Sequence, residues 1–202
     1  MAYRITDDNV QFDAEPIFNS STLNGGVPTG ASGVSVTEYG SGTVHKTEIA
    51  FADHAIAMAT DDAGTDVYVA YGGSQVYDFP AGAIMILGAT SDLDVTKSSA
   101  GIEDDWNGDF GIGTSTAVQE DLTGTEQNIV PKTATPQASA GATTANGQST
   151  ATENAVVDGT TTAVDVFVNF LVDAADHDVN DTACNLILNG TVTIHWINLG
   201  DY

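Results

Sequence analysis

The residues of this chain best suited to acid–base, nucleophilic or metal chemistry at neutral pH are four histidines, His45, His54, His177 and His195, and one cysteine, Cys184. Their spacing forms none of the compact ligand patterns. There is no HxH, HExxH or HxxxH pair, so a zinc site would need ligands gathered from distant strands. No GxSxG elbow accompanies a Ser-His-Asp set. No GxxxxGK[ST] loop is present, and Gly111-Ile112-Gly113 lacks the βαβ setting of a dinucleotide fold. The histidines are therefore expected as structural or surface residues. Cys184, beside the apolar run 186–188, is expected as a small buried hydrophobe; being single, it allows no intrachain disulfide.

Oxygen ligands are more plentiful. The run Asp173-Ala174-Ala175-Asp176-His177-Asp178-Val179-Asn180-Asp181 places donors at close intervals, as a Ca²⁺ loop would, but has no central Gly and no closing Glu. A plain acidic loop between strands is the expected form, and Glu103-Asp104-Asp105 is a weaker cluster of the same kind. Carboxylates are so abundant that a pair of them has no diagnostic value for acid–base work. Tyr3, Tyr39, Tyr68, Tyr71 and Tyr77, with Trp106 and Trp196, could build a carbohydrate platform, although alternating aromatics in strands more often pair across the core. No residue is assigned a catalytic, cofactor-binding or metal role, no cofactor is implied, and an enzyme is not expected.

The elements that would position these groups read as β. Asp and Glu number 28 against 4 Lys and Arg, a formal net charge of −24, yet only 16% of residues are charged and 42% are hydrophobic. Thr, Ser, Asn, Gly and Ala must supply much of the surface. With Arg4, Lys46, Lys97 and Lys132 scattered, nothing gathers the cations that nucleic acid or an anionic membrane would require. The acidity can keep an abundant protein soluble, suit a saline setting, or attract divalent cations locally. No apolar stretch reaches transmembrane length and no signal-peptide h-region is visible, so a chain made in the cytoplasm is expected.

Residues 1–33, rich in Asp, Asn, Ser, Gly and Pro, read as an extended N-terminal arm, with residues 34–202 as one β-sandwich domain. Residues 43–51 alternate, as do 92–96 and 164–171. Gly72-Gly73, between 66–71 and 75–79, suggests a tight hairpin, with Pro80 ending the second strand. The apolar run 83–90 predicts a central strand buried on both faces. Residues 106–112 read as a turn leading into a strand, and 128–130 as a short strand stopped by Pro131. Residues 131–152 are low-complexity and are expected as an exposed loop or a bridge between sheets. Asn189-Gly190 suggests either a turn between two strands or a bulge in one long strand. One short helix over 50–59 is conceivable; elsewhere helical periodicity is weak. Eight to ten short strands point to an all-β fold, a β-sandwich or jelly roll.

The segments 35–44 (SVTEYGSGTV), 77–84 (YDFPAGAI), 106–113 (WNGDFGIG) and 185–202 (NLILNGTVTIHWINLGDY) together resemble small virion structural proteins of tailed bacteriophages, especially marine ones. The resemblance implies a capsid decoration (cement) protein on the outer shell: β-rich, homotrimeric, bound to the major capsid protein, and located in the virion. It carries over no binding residues. The arm at 1–33 is the expected contact with the shell. The alternatives are a tail or head-fibre component, or a carbohydrate- or Ca²⁺-binding β-sandwich module.

Overall fold

The alternation that begins near residue 43 runs on far beyond residue 51. In a computed structural model, which describes residues 4–6, 9–11, 26–41, 44–64, 67–98, 100–119, 121–150, 156–173, 179 and 184–200, Val44–Gly64 forms a single strand. The strands are β1 (Arg4–Thr6), β2 (Asn9–Gln11), β3 (Val27–Pro28), β4 (Val34–Ser41), β5 (Val44–Gly64), β6 (Val67–Asp78), β7 (Gly82–Lys97), β8 (Gly108–Gly113), β9 (Val130–Thr135), β10 (Ala142–Gln148), β11 (Val156–Gly159), β12 (Asp165–Val172) and β13 (Cys184–Gly200). The described residues hold no α-helix, only a 3-10 turn at Gly124–Glu126.

Eight of these strands build the body, in the order β10-β7-β13-β5 and then β6-β12-β8-β9, every neighbour antiparallel. This interleaving of early and late strands in two four-stranded sheets is the jelly-roll arrangement of a β-sandwich. At one edge the sheets are joined by β5, which pairs with β13 up to Met58 and with β6 from Ala59 onward. At the other edge the chain crosses from β9 to β10, and the sandwich is nearly closed into a barrel. Strand β4 extends the first sheet beside β5, β11 lies beside one end of β7, and β3 lies beside the end of β6. Strands β1 and β2 pair with each other.

The core forms where the inward positions of the two sheets meet. Ile49, Phe51, Ile84, Ile86, Leu93, Val95, Val192, Ile194 and Trp196 come from the first sheet; Val76, Tyr77, Phe110, Ile112, Val166, Val168 and Phe170 come from the second. Each such side chain contributes roughly 1.5–3 kcal/mol by leaving water. The alternation read at 43–51 is observed, with His45, Thr47, Ile49 and Phe51 all buried.

Several local expectations are corrected. Residues 50–59 are strand, because Phe51, His54, Ile56 and Met58 must all point inward. Gly72-Gly73 is not a turn: β6 passes straight through it, and the β5–β6 hairpin closes between Gly64 and Val67. Those glycines answer to close approach instead. A Cβ on Gly72 would lie 2.5 Å from the Ala57 carbonyl oxygen, and one on Gly73 would meet the Asn169 side chain. The expected loop at 131–152 holds β9 and β10, which lie in different sheets, so the segment does act as the bridge between them. Pro131 does not stop a strand. It sits within β9, the edge strand, where its missing N–H costs no ladder bond. Part of the expected arm, residues 26–33, lies against the body: Gly33 O accepts from Ala52 N at 2.8 Å, and Thr29 Oγ1 donates to Gln75 O. The rest of 1–25 outside β1 and β2 lies outside the described residues.

Asn189-Gly190 belongs to the long-strand alternative. Strand β13 is continuous, with a bulge where Asp53 on β5 takes φ 53°. Asp53 N donates to Asn189 Oδ1 at 3.0 Å and Asn189 Nδ2 donates to Asp53 Oδ1 at 3.1 Å, which holds the irregular backbone on both strands. Gly190 has φ +119°, and a Cβ there would meet the Asp92 carbonyl oxygen of β7 at 2.2 Å. We therefore expect Gly190→Ala to cost at least ~2 kcal/mol, through strain plus a backbone clash. Urea unfolding measures it, and a midpoint equal to wild type would refute it.

Candidate functional site

The densest gathering of polar side chains lies inside the sandwich, beneath the β4 edge. On β13, Trp196 directs its indole N–H to Thr47 Oγ1 of β5 at 2.8 Å. Thr47 lies close to the Tyr77 hydroxyl of β6. Tyr77 donates to Glu38 Oε2 of β4 at 2.7 Å and accepts from the backbone N–H of Gly26 at 2.8 Å. The other Glu38 oxygen lies 2.8 Å from His45 Nδ1. A carboxylate only accepts, so Nδ1 carries the proton in that bond. The His45 ring then stacks on Trp196, 4.1 Å between centroids and 8° from parallel, which closes the circle.

These side chains are almost completely shielded: His45 is 1% and Glu38 6% exposed. Burial pushes the Tyr77 hydroxyl far above its ordinary range, with the Glu38 charge adding to the effect. A phenol held that way stays protonated and remains a donor to Glu38. Phe79 packs edge-on against both Tyr77 and Trp196. The assembly ties four strands and the segment at Gly26 together, and every polar atom named in it has a partner.

His54 is held in a second buried set. Its Nδ1 donates to the Ser32 carbonyl at 2.7 Å, and its Nε2 lies 2.9 Å from Ser74 Oγ on β6. In the neutral ring the serine hydroxyl is the donor. His195 is exposed on the outer face of β13. The four histidines are thus not brought together in any described grouping, and His177 lies outside the described residues. Among the described residues no three His, Cys, Asp or Glu side chains gather as a metal ion would require. The acidic loop at 173–181 lies outside the described residues except for Asp173 and Val179. Glu103, Asp104 and Asp105 are exposed, and Asp104 pairs with Lys97 at 2.6 Å. Cys184 is buried, and that burial pushes its thiol up to about 11, leaving little reactive thiolate.

Among the described residues the aromatic platform is not assembled. Trp106 and Trp196 are fully buried, as is Tyr77, while Tyr39 is exposed beneath Lys46 Nζ at 4.1 Å. Tyr71 is half-buried; Tyr3 and the Tyr68 side chain lie outside the described residues. An open groove of about 500 Å³ separates the β9 and β10 edges. It presents Thr90, Ser91, Thr133, Asn146 and Gln148, all neutral.

Sequence reasoning did not single out Glu38, Thr47, Ser74, Asp78 or Asp165. The signal for Glu38 was present: Val34, Val36 and Glu38 share one side of an alternating strand, so a carboxylate occupies an inward position. Asp78 and Asp165 become neighbours only through the β6–β12 register, in which they are direct partners. Burial, then the Asp165 charge, hold the Asp78 carboxyl above its ordinary range, and Asp78 Oδ1 is buried without a hydrogen-bond partner.

No family model matches the chain, and no curated protein or solved structure is detectably similar to it.

Two predictions test this interior. Tyr77→Phe removes a hydroxyl that serves Glu38 and Gly26, so it should cost about 1–3 kcal/mol and lower Tm by several degrees. A thermal scan measures it, and an unchanged Tm would show that the ring of bonds holds nothing. For Asp78 the folded state binds its proton more tightly than the unfolded chain. Its contribution is therefore unfavourable at neutral pH and vanishes as pH falls below the ordinary carboxylate range. Asp78→Asn should raise Tm by about 1–3 °C at pH 7 and leave it unchanged at pH 3. An equal shift at both pH values would assign the effect to something other than charge.

Proposed function

We propose that this chain is a structural virion protein, a capsid decoration (cement) subunit that attaches to the outer shell of a tailed phage by binding the major capsid protein. It acts as a homo-oligomer, a trimer by the resemblance that its sequence carries. The observation that most supports this reading is the use the jelly roll makes of its polar interior. The histidines best placed for chemistry, His45 and His54, are committed to holding strands together. Jelly rolls serve as capsid and lectin domains alike. The burial of Trp106 and Trp196 takes from the lectin alternative the two aromatic rings best suited to stack on sugars.

Charge supports the same reading. A subunit stored at high concentration before assembly benefits from strong like charge, and the net charge is −24. The arm at residues 1–33 is the segment we propose for the shell contact; within it, residues 26–33 also bond to the body.

Quantitative mass spectrometry of gradient-purified particles from the source tests the proposal. We expect copy numbers comparable to that of the major capsid protein. A few copies per particle would transfer the chain to the tail or a fibre, and absence from particles would overturn the virion role.

A further inference from the structure

Asparagine followed by glycine is the dipeptide most prone to lose its side-chain amide, because a glycine nitrogen meets no Cβ as it closes on the asparagine carbonyl. The chain contains four such pairs: Asn24-Gly25, Asn107-Gly108, Asn146-Gly147 and Asn189-Gly190. The first lies outside the described residues. The fold treats the other three differently. Asn189 lies on β13, between β5 and β7, and Asp53 engages both polar atoms of its amide, at 3.0 and 3.1 Å. Asn107 O accepts from Asp173 N at 3.0 Å, and Gly108 packs so closely on β12 that a Cβ would collide with the Leu171 carbonyl. Asn146 lies on β10, the last strand of the first sheet. Its side chain is exposed and makes no hydrogen bond to the described residues. The Gly147 N–H, the group that must attack, is bonded to the Ser91 hydroxyl at 2.9 Å. A Cβ on Gly147 would meet Phe110 at 2.7 Å and Val130 at 2.8 Å, so core packing fixes the glycine that makes the pair reactive.

We propose that Asn146-Gly147 is a self-modification site of the folded protein, where asparagine converts to aspartate and isoaspartate, and that the Asp53 clasp spares Asn189. Hydroxide from water removes the Gly147 N–H proton. The nitrogen bonds to Asn146 Cγ, the Cγ–Nδ2 bond breaks, and ammonia leaves with a proton taken from water. Water then opens the cyclic imide at either carbonyl. One opening gives aspartate; the other gives isoaspartate, whose main chain runs through Cγ. Both products place a carboxylate at the direct cross-strand partner of Asp92, where like charges repel. Isoaspartate also lengthens the main chain by one atom and so shifts the rest of β10 against β7. The change falls at a seam. Strands β9 and β10 end their sheets, and a side-chain hydroxyl bridges them: Ser149 Oγ donates to Ile129 O at 2.6 Å and accepts from Ala89 N at 2.7 Å. Ageing at Asn146 therefore loosens the closure of the sandwich, whether or not the shell reading holds.

Incubation of the folded chain in mildly alkaline buffer, sampled over weeks, tests the site. Peptide mapping by mass spectrometry, with fragmentation that separates isoaspartate from aspartate, follows each pair. A parallel sample in concentrated urea gives the rates without the fold. In the folded chain Asn146 should convert about tenfold or more faster than Asn189, and in urea the two rates should converge. Asp53→Gly, which suits the φ of 53° at that position, should raise the Asn189 rate several-fold. Asn146→Asp should lower Tm at neutral pH, and adding Asp92→Asn should restore it. Equal rates at Asn146 and Asn189 in the folded chain, a bias that persists unchanged in urea, or an intact Asn146 in the folded chain would overturn the site. An Asn189 rate unmoved by Asp53→Gly would overturn the shielding, and an unchanged Tm in Asn146→Asp would overturn the loosening.

Discussion

The ring of contacts through Trp196, Thr47, Tyr77, Glu38 and His45 is the constraint on which the arrangement of the sandwich depends. A buried carboxylate is costly unless its oxygens are met by donors. Here one oxygen takes a phenol O–H and the other an imidazole N–H, and those donors come from β6 and β5. Satisfying Glu38 therefore fixes where β4, β5 and β6 stand relative to each other, and Trp196 adds β13 through its own N–H and its stacked face. The energetic return of such a network is small compared with breaking it, because removal of one member leaves a buried polar atom without a partner. It specifies one alignment of the two sheets more than it stabilises the fold as a whole.

The same network also governs an edge. Strand β4 is the last strand of its sheet, and edge strands invite pairing with foreign chains. An inward-pointing charge on such a strand is a known device against that hazard, since any slip in register would expose apolar residues and strand the carboxylate. Glu38 fits that description. Gly26, bonded to the Tyr77 hydroxyl, brings the chain before β3 against the same corner.

What could be read from sequence was period, and what could not was register. The inward sets on β12 and β13 follow from strict alternation, as at Val192, Ile194 and Trp196, while on β5 the alternation changes phase at the Asp53 bulge, between Phe51 and His54. The all-β sandwich follows from counting such segments. Two physical demands, a positive φ and a close approach, select glycine, and sequence does not tell them apart. Gly72-Gly73, whose spacing suggests the first, answers to the second. The 131–152 segment hid two strands because Thr and Ala carry a weak periodic signal when the face they line is half solvated. The Glu38–His45–Tyr77 site spans residues separated by 7 and 39 positions, a proximity that only pairing creates. Its alternation signal was legible, but its partners were not.

The scarcity of cations gives the surface its logic. Each lysine whose surroundings are described lies beside a carboxylate: Lys46 at Glu48, Lys97 at Asp104, Lys132 at Asp121. Lys97 also donates to the Ile102 carbonyl, so it fastens the loop after β7 as well as neutralising a charge. Lys132 is held protonated above its usual range chiefly by its bond to Asp121. Asp78 and Asp165 are direct cross-strand partners, two carboxylates placed side by side despite the cost. A fold built this way gains from anything that screens or covers its negative field, whether dissolved salt or a neighbouring subunit. Val44, Ile197, Met85 and Val156 stand in register across four strands of the outer sheet face.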